Sequence, residues 1–273
     1  MKEFKSFYKT VGSAEGARCK YPTRLDTYGC GCYHDCGYCY AKSLLDFRGL
    51  WNPLEPRVAD LKKIERKLDK IPAGSVLRLG GMTDCFQPCE RTYKVTYETI
   101  KLLNERGIGY LIVTKSDLVA EYRDILRSDL AHIQVSITSL GPASYEKAVS
   151  SDRRIEAVLA LQDEYDVALR VSPLIPGRID FDRLNATGVR KVVVEFLRVN
   201  SWVEKWLPGD YSDFTERSGG YKHLPLDKKI DLVQRITLPS LTVCEDVPEH
   251  YIYWRDNVNP NPDDCCNLRL EKW

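Results

Sequence analysis

Four of the ten cysteines in this 273-residue chain, Cys30, Cys32, Cys36 and Cys39, fall within ten residues of one another. The last three form a C-x3-C-x2-C pattern within Gly31-Cys32-Tyr33-His34-Asp35-Cys36-Gly37-Tyr38-Cys39-Tyr40. Three thiolates so close on one loop suit an iron–sulfur cubane, each holding one iron and leaving the fourth iron open for chemistry. Zinc is the alternative, although a structural zinc site closes four ligands, commonly as two C-x2-C pairs. Cys30 could supply a fourth. The other cysteines are scattered. Cys85 and Cys89 flank Phe86-Gln87-Pro88, while Cys244, Cys265 and Cys266, with His250, could make an auxiliary zinc or iron–sulfur site.

The first ten residues are charged and aromatic and lack an apolar core, so no secretory leader is expected. The cysteines therefore read as metal ligands in a cytoplasmic protein rather than as a disulfide framework. Hydrophobic residues make up 43% and charged residues 29%, the profile of a globular protein, and no apolar run reaches membrane-spanning length. A net charge of +1 does not indicate a globally basic nucleic-acid binder, though it permits local basic patches.

Something must position these residues, and the pattern along the chain is strand–helix–strand. Strands are expected over 26–29, 75–79, 110–114, 132–137, 167–172 and 190–196, each rich in Val, Ile or Leu. Apolar stripes through Val58–Ile71, Tyr93–Leu103 and Val119–Leu126 mark helices between them, and Ser151 can cap a fourth. Repeated right-handed βαβ units make a parallel sheet. Six strands fit an α/β fold of the partial (β/α)6 TIM-like barrel type; an open Rossmann-like sheet competes, but no G-x-G-x-x-G follows a strand. The barrel is expected over residues 1–200, with 201–273 as a C-terminal extension packed on it. That extension should hold a helix near 226–236 and a strand near 241–244.

The C-x3-C-x-aromatic-C loop, with Tyr38 ahead of Cys39, resembles the cluster loop of the radical S-adenosylmethionine superfamily. Gly80-Gly81-Met82-Thr83-Asp84 with Gln87-Pro88 and Glu90 is similar to the second-strand end of the spore photoproduct lyase-like group. Val113-Thr114-Lys115-Ser116, Val135-Ser136-Ile137-Thr138 and Ser172-Pro173-Leu174-Ile175-Pro176-Gly177 follow in the same order. Independently of the resemblance, each lies at the carboxyl end of an expected parallel strand, the face that carries the site in β/α barrels.

The resemblance implies that Cys32, Cys36 and Cys39 hold a [4Fe-4S] cluster whose open iron takes the methionine end of S-adenosyl-L-methionine. Reductive cleavage then yields a 5′-deoxyadenosyl radical that abstracts hydrogen from a substrate. Tyr38 and Tyr40 would contact the adenine, or else pack the loop. Gly80 and Gly81 would receive the methionine amino group, or simply end a strand. Many superfamily members carry an acidic residue next; this chain has Met82, and Asp84 is the nearest carboxylate. Lys115 and Ser136 would bind the cofactor carboxylate or ribose, or be a solvated lysine and a capping serine. Arg170 and Glu195 interrupt apolar strands, as a buried ion pair or as binding groups. Cys85 stands four residues beyond the position where the lyase has its hydrogen-returning cysteine, which aligns with Gly81. It is either a radical-relay thiol or a small buried hydrophobe.

The implied activity is that of a radical enzyme acting on a nucleobase or nucleoside in nucleic acid. The alternatives are a peptide or small metabolite as substrate, and a non-catalytic zinc-binding module. A flavodoxin or ferredoxin would be the electron donor. Tyr251, Tyr253, Trp254 and Arg255 could stack on bases, and Lys222, His223, Lys228 and Lys229 could form a basic patch, or all could be ordinary surface and packing.

Overall fold

The computed structural model describes residues 4–9 and 19–269. Of the first ten residues, considered above as a leader, 1–3 and 10 lie outside them. Eight strands form one sheet: β1 (Phe7–Lys9), β2 (Thr23–Leu25), β3 (Val76–Leu79), β4 (Gly109–Thr114), β5 (Ala131–Ile137), β6 (Asp166–Leu174), β7 (Lys191–Phe196) and β8 (Ser240–Cys244). Their spatial order is their sequence order. Strands β2 to β8 pair in parallel, and β1 caps the β2 edge in antiparallel register, Phe7 opposite Leu25.

Between the strands run α1 (Tyr40–Asp46), α2 (Leu61–Leu68), α3 (Val95–Glu105), α4 (Ser151–Leu161), α5 (Phe181–Asn185) and α6 (Leu226–Gln234), and α7 (Pro248–Asn257) follows β8. Asp60 starts α2 by accepting the N–H groups of Lys62 and Lys63, and Ile64 and Leu68 fill its buried side. Ser150, one residue before the expected cap, accepts from Arg153 N to start α4. The stripe after β4 winds as a 3-10 turn, Asp117–Tyr122, capped by Ser116. Every residue of β5 is buried, as a strand covered on both faces requires. Each buried Leu, Ile or Val there contributes about 1.5–3 kcal/mol through its removal from water.

The architecture is the expected partial TIM-like barrel, with six parallel strands from β2 to β7. Two details differ. The first parallel strand is Thr23–Leu25, so Asp26 sits just past its carboxyl end, and Tyr28–Gly29 instead pairs with Arg57–Val58. The strand near 241–244 does not stand apart: β8 extends the main sheet, Leu241 opposite Val192. No helix among the described residues is long and apolar enough to cross a membrane.

Candidate active site

The cluster loop follows β2 and is held by its own backbone and by neighbours. Asp35 N donates to Cys32 O, Cys39 N to Cys36 O, Gly37 N to Tyr145 O and Lys147 N to His34 O. Asp35, at φ +40°, turns the chain between the first two cysteines. Its carboxylate bridges Lys42 and Lys147 at 2.8 and 3.1 Å. Gly37 has to be glycine, since a Cβ there would lie 2.7 Å from Trp206 O. Cys39 caps α1, its sulfur accepting from Lys42 N at 3.4 Å. Cys32 and Cys36 are buried. Burial pushes all three thiols up, Cys36 to about 12, so they hold their protons unless a cation replaces them.

The three sulfurs line one cavity of about 1100 Å3, solvent mouth included, at the carboxyl ends of the strands. Tyr38, Tyr40, Gly80, Gly81, Asp84, Lys115, Ser136 and Arg170 line it too. Residues drawn from four strands, β3 to β6, and one loop thus meet, although up to 138 positions separate them.

At the end of β3, Gly80 takes φ +80° and turns the backbone under the loop, where a Cβ would meet Val113 O at 2.9 Å. A Cβ at Gly81 would stand 1.8 Å from Tyr8 Oη. The Gly81 carbonyl accepts the Tyr40 hydroxyl. The Gly81 and Met82 N–H groups donate to the Asp26 carboxylate, at 2.7 Å from Gly81 and 3.1 Å from Met82. Burial raises the Asp26 carboxyl to about 6, against those N–H groups, the Tyr8 hydroxyl and Arg24. Asp26 was missed because it appeared as one polar residue inside an expected strand.

Asp84 is a clamp. Its Oδ1 accepts Phe86 N at 2.8 Å and the Thr114 hydroxyl at 2.7 Å; its Oδ2 accepts Lys115 N at 2.6 Å and faces His34 Nε2 at 3.2 Å. Burial would raise its pKa, but His34, Lys115 N–H and Thr114 outweigh burial and hold it low. Lys115 aims its ammonium at Ser172 O, 2.8 Å away, and over the Tyr38 ring at 5.4 Å. The Tyr38 hydroxyl donates to Glu146, which also pairs with Arg154 at 2.5 Å, both side chains buried. Arg154 in turn donates to Ser136 O at 2.7 Å. Glu146 and Arg154 carried no motif; a carboxylate eight residues before a helical arginine was the only signal.

Arg170 and Glu195 form the ion pair, at 2.7 Å, and Arg170 also donates to Gln134 Oε1 at 2.7 Å. Polar atoms of the cavity lining, among them His34 Nδ1, Trp51 Nε1 and Arg170 Nε, are buried without a hydrogen-bond partner. A polar ligand would satisfy them. At the mouth, Arg198 lies over Tyr40 at 5.4 Å and over Tyr221 at 5.7 Å.

Cys85 does not join this group. It is buried in the main apolar core, off the cavity wall, with its thiol pushed up by burial and by Asp84, Glu90 and Asp26. Nor does the C-terminal aromatic run form a stacking platform: Trp254 is buried, donating to Glu245 at 3.3 Å, and Arg255 pairs with adjacent Asp256. The expected basic patch is dispersed. His223 and Lys229 are buried, Lys222 pairs with Glu204 at 2.6 Å, and Lys228 with Asp213 at 2.5 Å. His250 faces Lys229 at 3.1 Å rather than the C-terminal cysteines.

The loop fits a cubane better than zinc. Among the described residues, the sulfurs of Cys32, Cys36 and Cys39 do not all lie within 4.8 Å of one another. Thiolates sharing one zinc ion, each ~2.3 Å from it, stand only ~3.8 Å apart. Thiolates on separate corner irons stand wider.

No protein-family model and no curated protein matches the sequence. Solved structures do. A cysteine-to-serine variant of spore photoproduct lyase superposes with TM-score 0.64 at 17% identity, covering 89% of this chain and 80% of that one. A variant with bound S-adenosylmethionine and dinucleoside spore photoproduct gives TM-score 0.61 at 17% identity, covering 84% and 78%. The lyase complexed with dinucleoside spore photoproduct gives 0.63 at 16%, covering 88% and 78%. The chain has the fold of the spore photoproduct lyases, the group its strand-end motifs resemble.

Proposed function

We propose that this chain is a radical S-adenosylmethionine enzyme acting on a nucleobase or nucleoside, free or in nucleic acid. The observation that carries the reading is the meeting of three loop thiols with a Gly-Gly strand end in one cavity at the carboxyl face of the sheet. Cys32, Cys36 and Cys39 would hold the [4Fe-4S] cluster. The Gly80–Gly81 backbone, Lys115 and Ser136 would receive S-adenosylmethionine, with Tyr38 and Tyr40 beside the adenine. Together the two cofactors supply the 5′-deoxyadenosyl radical that takes hydrogen from the substrate.

The chain's own groups position and exclude. Asp26 fixes the Gly81 and Met82 amides, and Asp84 joins the ends of β3 and β4, so the methionine-binding face is set before any ligand arrives. Lys115 offers a point charge suited to a carboxylate. Arg198 between Tyr40 and Tyr221 presents a cation with aromatic planes at the mouth, the pairing that grips an extruded base. A spore photoproduct lyase with a dinucleoside bound shares the fold. A low-potential flavodoxin or ferredoxin would deliver the electron.

Anaerobic purification should give a brown protein with about four irons per chain, by the three-cysteine cubane precedent. On reduction it should release 5′-deoxyadenosine from S-adenosylmethionine. Cys32→Ala/Cys36→Ala/Cys39→Ala should abolish both. The assay should then be run with ultraviolet-irradiated DNA, tRNA and peptides. Stimulation by a nucleic acid supports the substrate assignment, and stimulation by peptides alone overturns it. A colourless protein that cleaves no S-adenosylmethionine overturns the enzyme class.

A further inference from the structure

At the mouth of the cavity one guanidinium is held at its edge by carboxylates and across its plane by rings. Arg198, two residues past β7, donates through Nη1 to Asp246 Oδ2 at 3.2 Å and through Nη2 to Glu195 Oε1 at 3.4 Å. Its Cζ lies over the Tyr40 ring at 5.4 Å and over the Tyr221 ring at 5.7 Å. Tyr40, Glu195, Arg198 and Tyr221 all line the cavity. Glu195 is shared with Arg170 at 2.7 Å, so two guanidinium groups meet two carboxylates, and these four side chains sum to no net charge. Burial would raise the Glu195 carboxyl, but Arg170 and Arg198 hold it well below the usual carboxylate range. Burial raises the Asp246 carboxyl, while Arg198 and His223 oppose that rise.

Each member of this group is fixed from a different element. Val199 N donates to Lys222 O at 3.0 Å and Lys222 N to Val199 O at 2.8 Å, so the residue after Arg198 is tied to the residue after Tyr221. The hairpin that carries Tyr221, Glu216–Ser218 with Tyr221–His223, is closed by His223 Nε2, which donates to Ser218 O at 3.1 Å. That bond places the proton of the neutral ring on Nε2. Nδ1 is then a bare acceptor, buried without a hydrogen-bond partner and 3.8 Å from Asp246 Oδ1. His223 therefore offers Asp246 no hydrogen bond that would compete with Arg198. Asp246 is presented by Glu245, whose Oε1 accepts the N–H groups of Asp246 and Val247 at 3.0 and 3.1 Å. Buried Lys229 and Trp254 hold the other Glu245 oxygen at 2.6 and 3.3 Å. A divalent metal among His223, Glu245 and Asp246, whose ligand atoms lie within 4.8 Å of one another, is disfavoured because Lys229 and Arg198 already supply the positive charge. Tyr40 is fixed by its hydroxyl, which donates to Gly81 O.

An arginine that recognises phosphate turns its N–H edge to the ligand, whereas here that edge faces two carboxylates of the chain itself. We infer that the mouth takes an unpaired base by stacking rather than a phosphate by charge, with Arg198 and Tyr221 as the specificity-determining pair and Asp246 as the positioning residue that holds Arg198 between the rings, an assignment that rests on the nucleobase reading above. Planes without net charge suit a base, since every base offers a π face, and only an unpaired or extruded base exposes it. Removing the Asp246 charge turns one guanidinium edge outward and converts the same arginine into a phosphate contact.

The test uses the full chain, reconstituted anaerobically and supplied with S-adenosylmethionine. It reads the anisotropy of a fluorescein-labelled thymidine hexanucleotide at about pH 8, between about 50 and about 200 mM salt. A second probe of the same length carries abasic tetrahydrofuran sugars, so it keeps the phosphates and lacks the bases. The wild-type chain should bind the abasic probe about tenfold more weakly. Arg198→Ala should weaken binding of the thymidine probe about tenfold at every salt concentration, with the slope of log K against log salt unchanged, and Arg198→Lys should not restore it. Asp246→Asn should steepen that slope by about 0.7, the weight of one phosphate contact on a single strand, and adding Arg198→Ala should remove the increment. Restoration of binding by Arg198→Lys, or a slope that becomes shallower by about 0.7 in Arg198→Ala, overturns the inference. An unchanged slope in Asp246→Asn overturns the role given to Asp246. Should the variants fail to fold, as far-ultraviolet circular dichroism reports, the two probes on the wild-type chain decide. Equal binding of both overturns the inference and leaves the proposed activity standing. A wild-type chain that binds neither probe overturns it together with the nucleobase reading.

Discussion

Asp26→Asn should abolish a loss of stability that the wild-type chain suffers between acid and neutral pH. Asp26 is buried, and burial lifts its carboxyl from 3.8 to about 6. Its folded-state pKa is therefore above its unfolded value. The folded chain holds the proton more tightly, so the stability this group contributes is full below about 4 and is lost as pH rises through about 6. A shift of roughly two units corresponds to about 3 kcal/mol at full ionisation. Between about pH 5 and about pH 7.5 the linkage relation leaves about 1.4 kcal/mol of that change to be seen. Urea unfolding followed by the fluorescence of the five tryptophans reads it. Asn keeps an acceptor for the Gly81 amide but cannot ionise. Relative to wild type, the variant should gain about 1.4 kcal/mol over that interval, a tenfold change in the unfolding constant. Identical pH profiles for the two chains would refute the claim that this carboxylate ionises at a cost inside the fold.

Gly80→Ala forces a Cβ at φ +80° to within 2.9 Å of Val113 O. It should cost about 1–3 kcal/mol in thermal or urea unfolding and weaken S-adenosylmethionine binding measured by calorimetry. Arg154→Ala leaves the buried Glu146 charge without its ion-pair partner and should cost about 3–5 kcal/mol in the same unfolding assay. Lys115→Ala should raise the KM for S-adenosylmethionine about tenfold, the weight of one charge-assisted contact, while leaving iron content unchanged. Cys85→Ala should leave the yield of 5′-deoxyadenosine and of product unchanged, since the thiol is buried away from the cavity wall.

What could be read in advance follows physical rules that act locally. The strands β3 to β7 announce themselves by Val, Ile and Leu because both their faces are covered. The loop cysteines, Gly80, Gly81 and Lys115 announce themselves because turns and ligands constrain residue type at fixed offsets from strand ends. The misreadings arise where the barrel lumen is polar. β2 is only Thr-Arg-Leu, with Arg24 buried, so an apolar-run criterion slid past it to 26–29. Asp26 and Glu146 leave no period because each reaches a partner distant in sequence, Gly81 and Tyr38, while the Glu146–Arg154 pair spans only eight residues and follows no motif. In the C-terminal region composition misled: Trp254 and Lys229 are core residues there, one under Phe196 and the other tied to Glu245.

The in-order arrangement of the strands has a consequence for how the molecule is made. Each strand from β3 onward adds to the one synthesised just before it. The sheet can therefore accrete on the ribosome as translation proceeds, without waiting for distant sequence. The Tyr21–Asp264 bond works differently: it joins residues 243 positions apart, and so can close only after β8 has been added to the sheet.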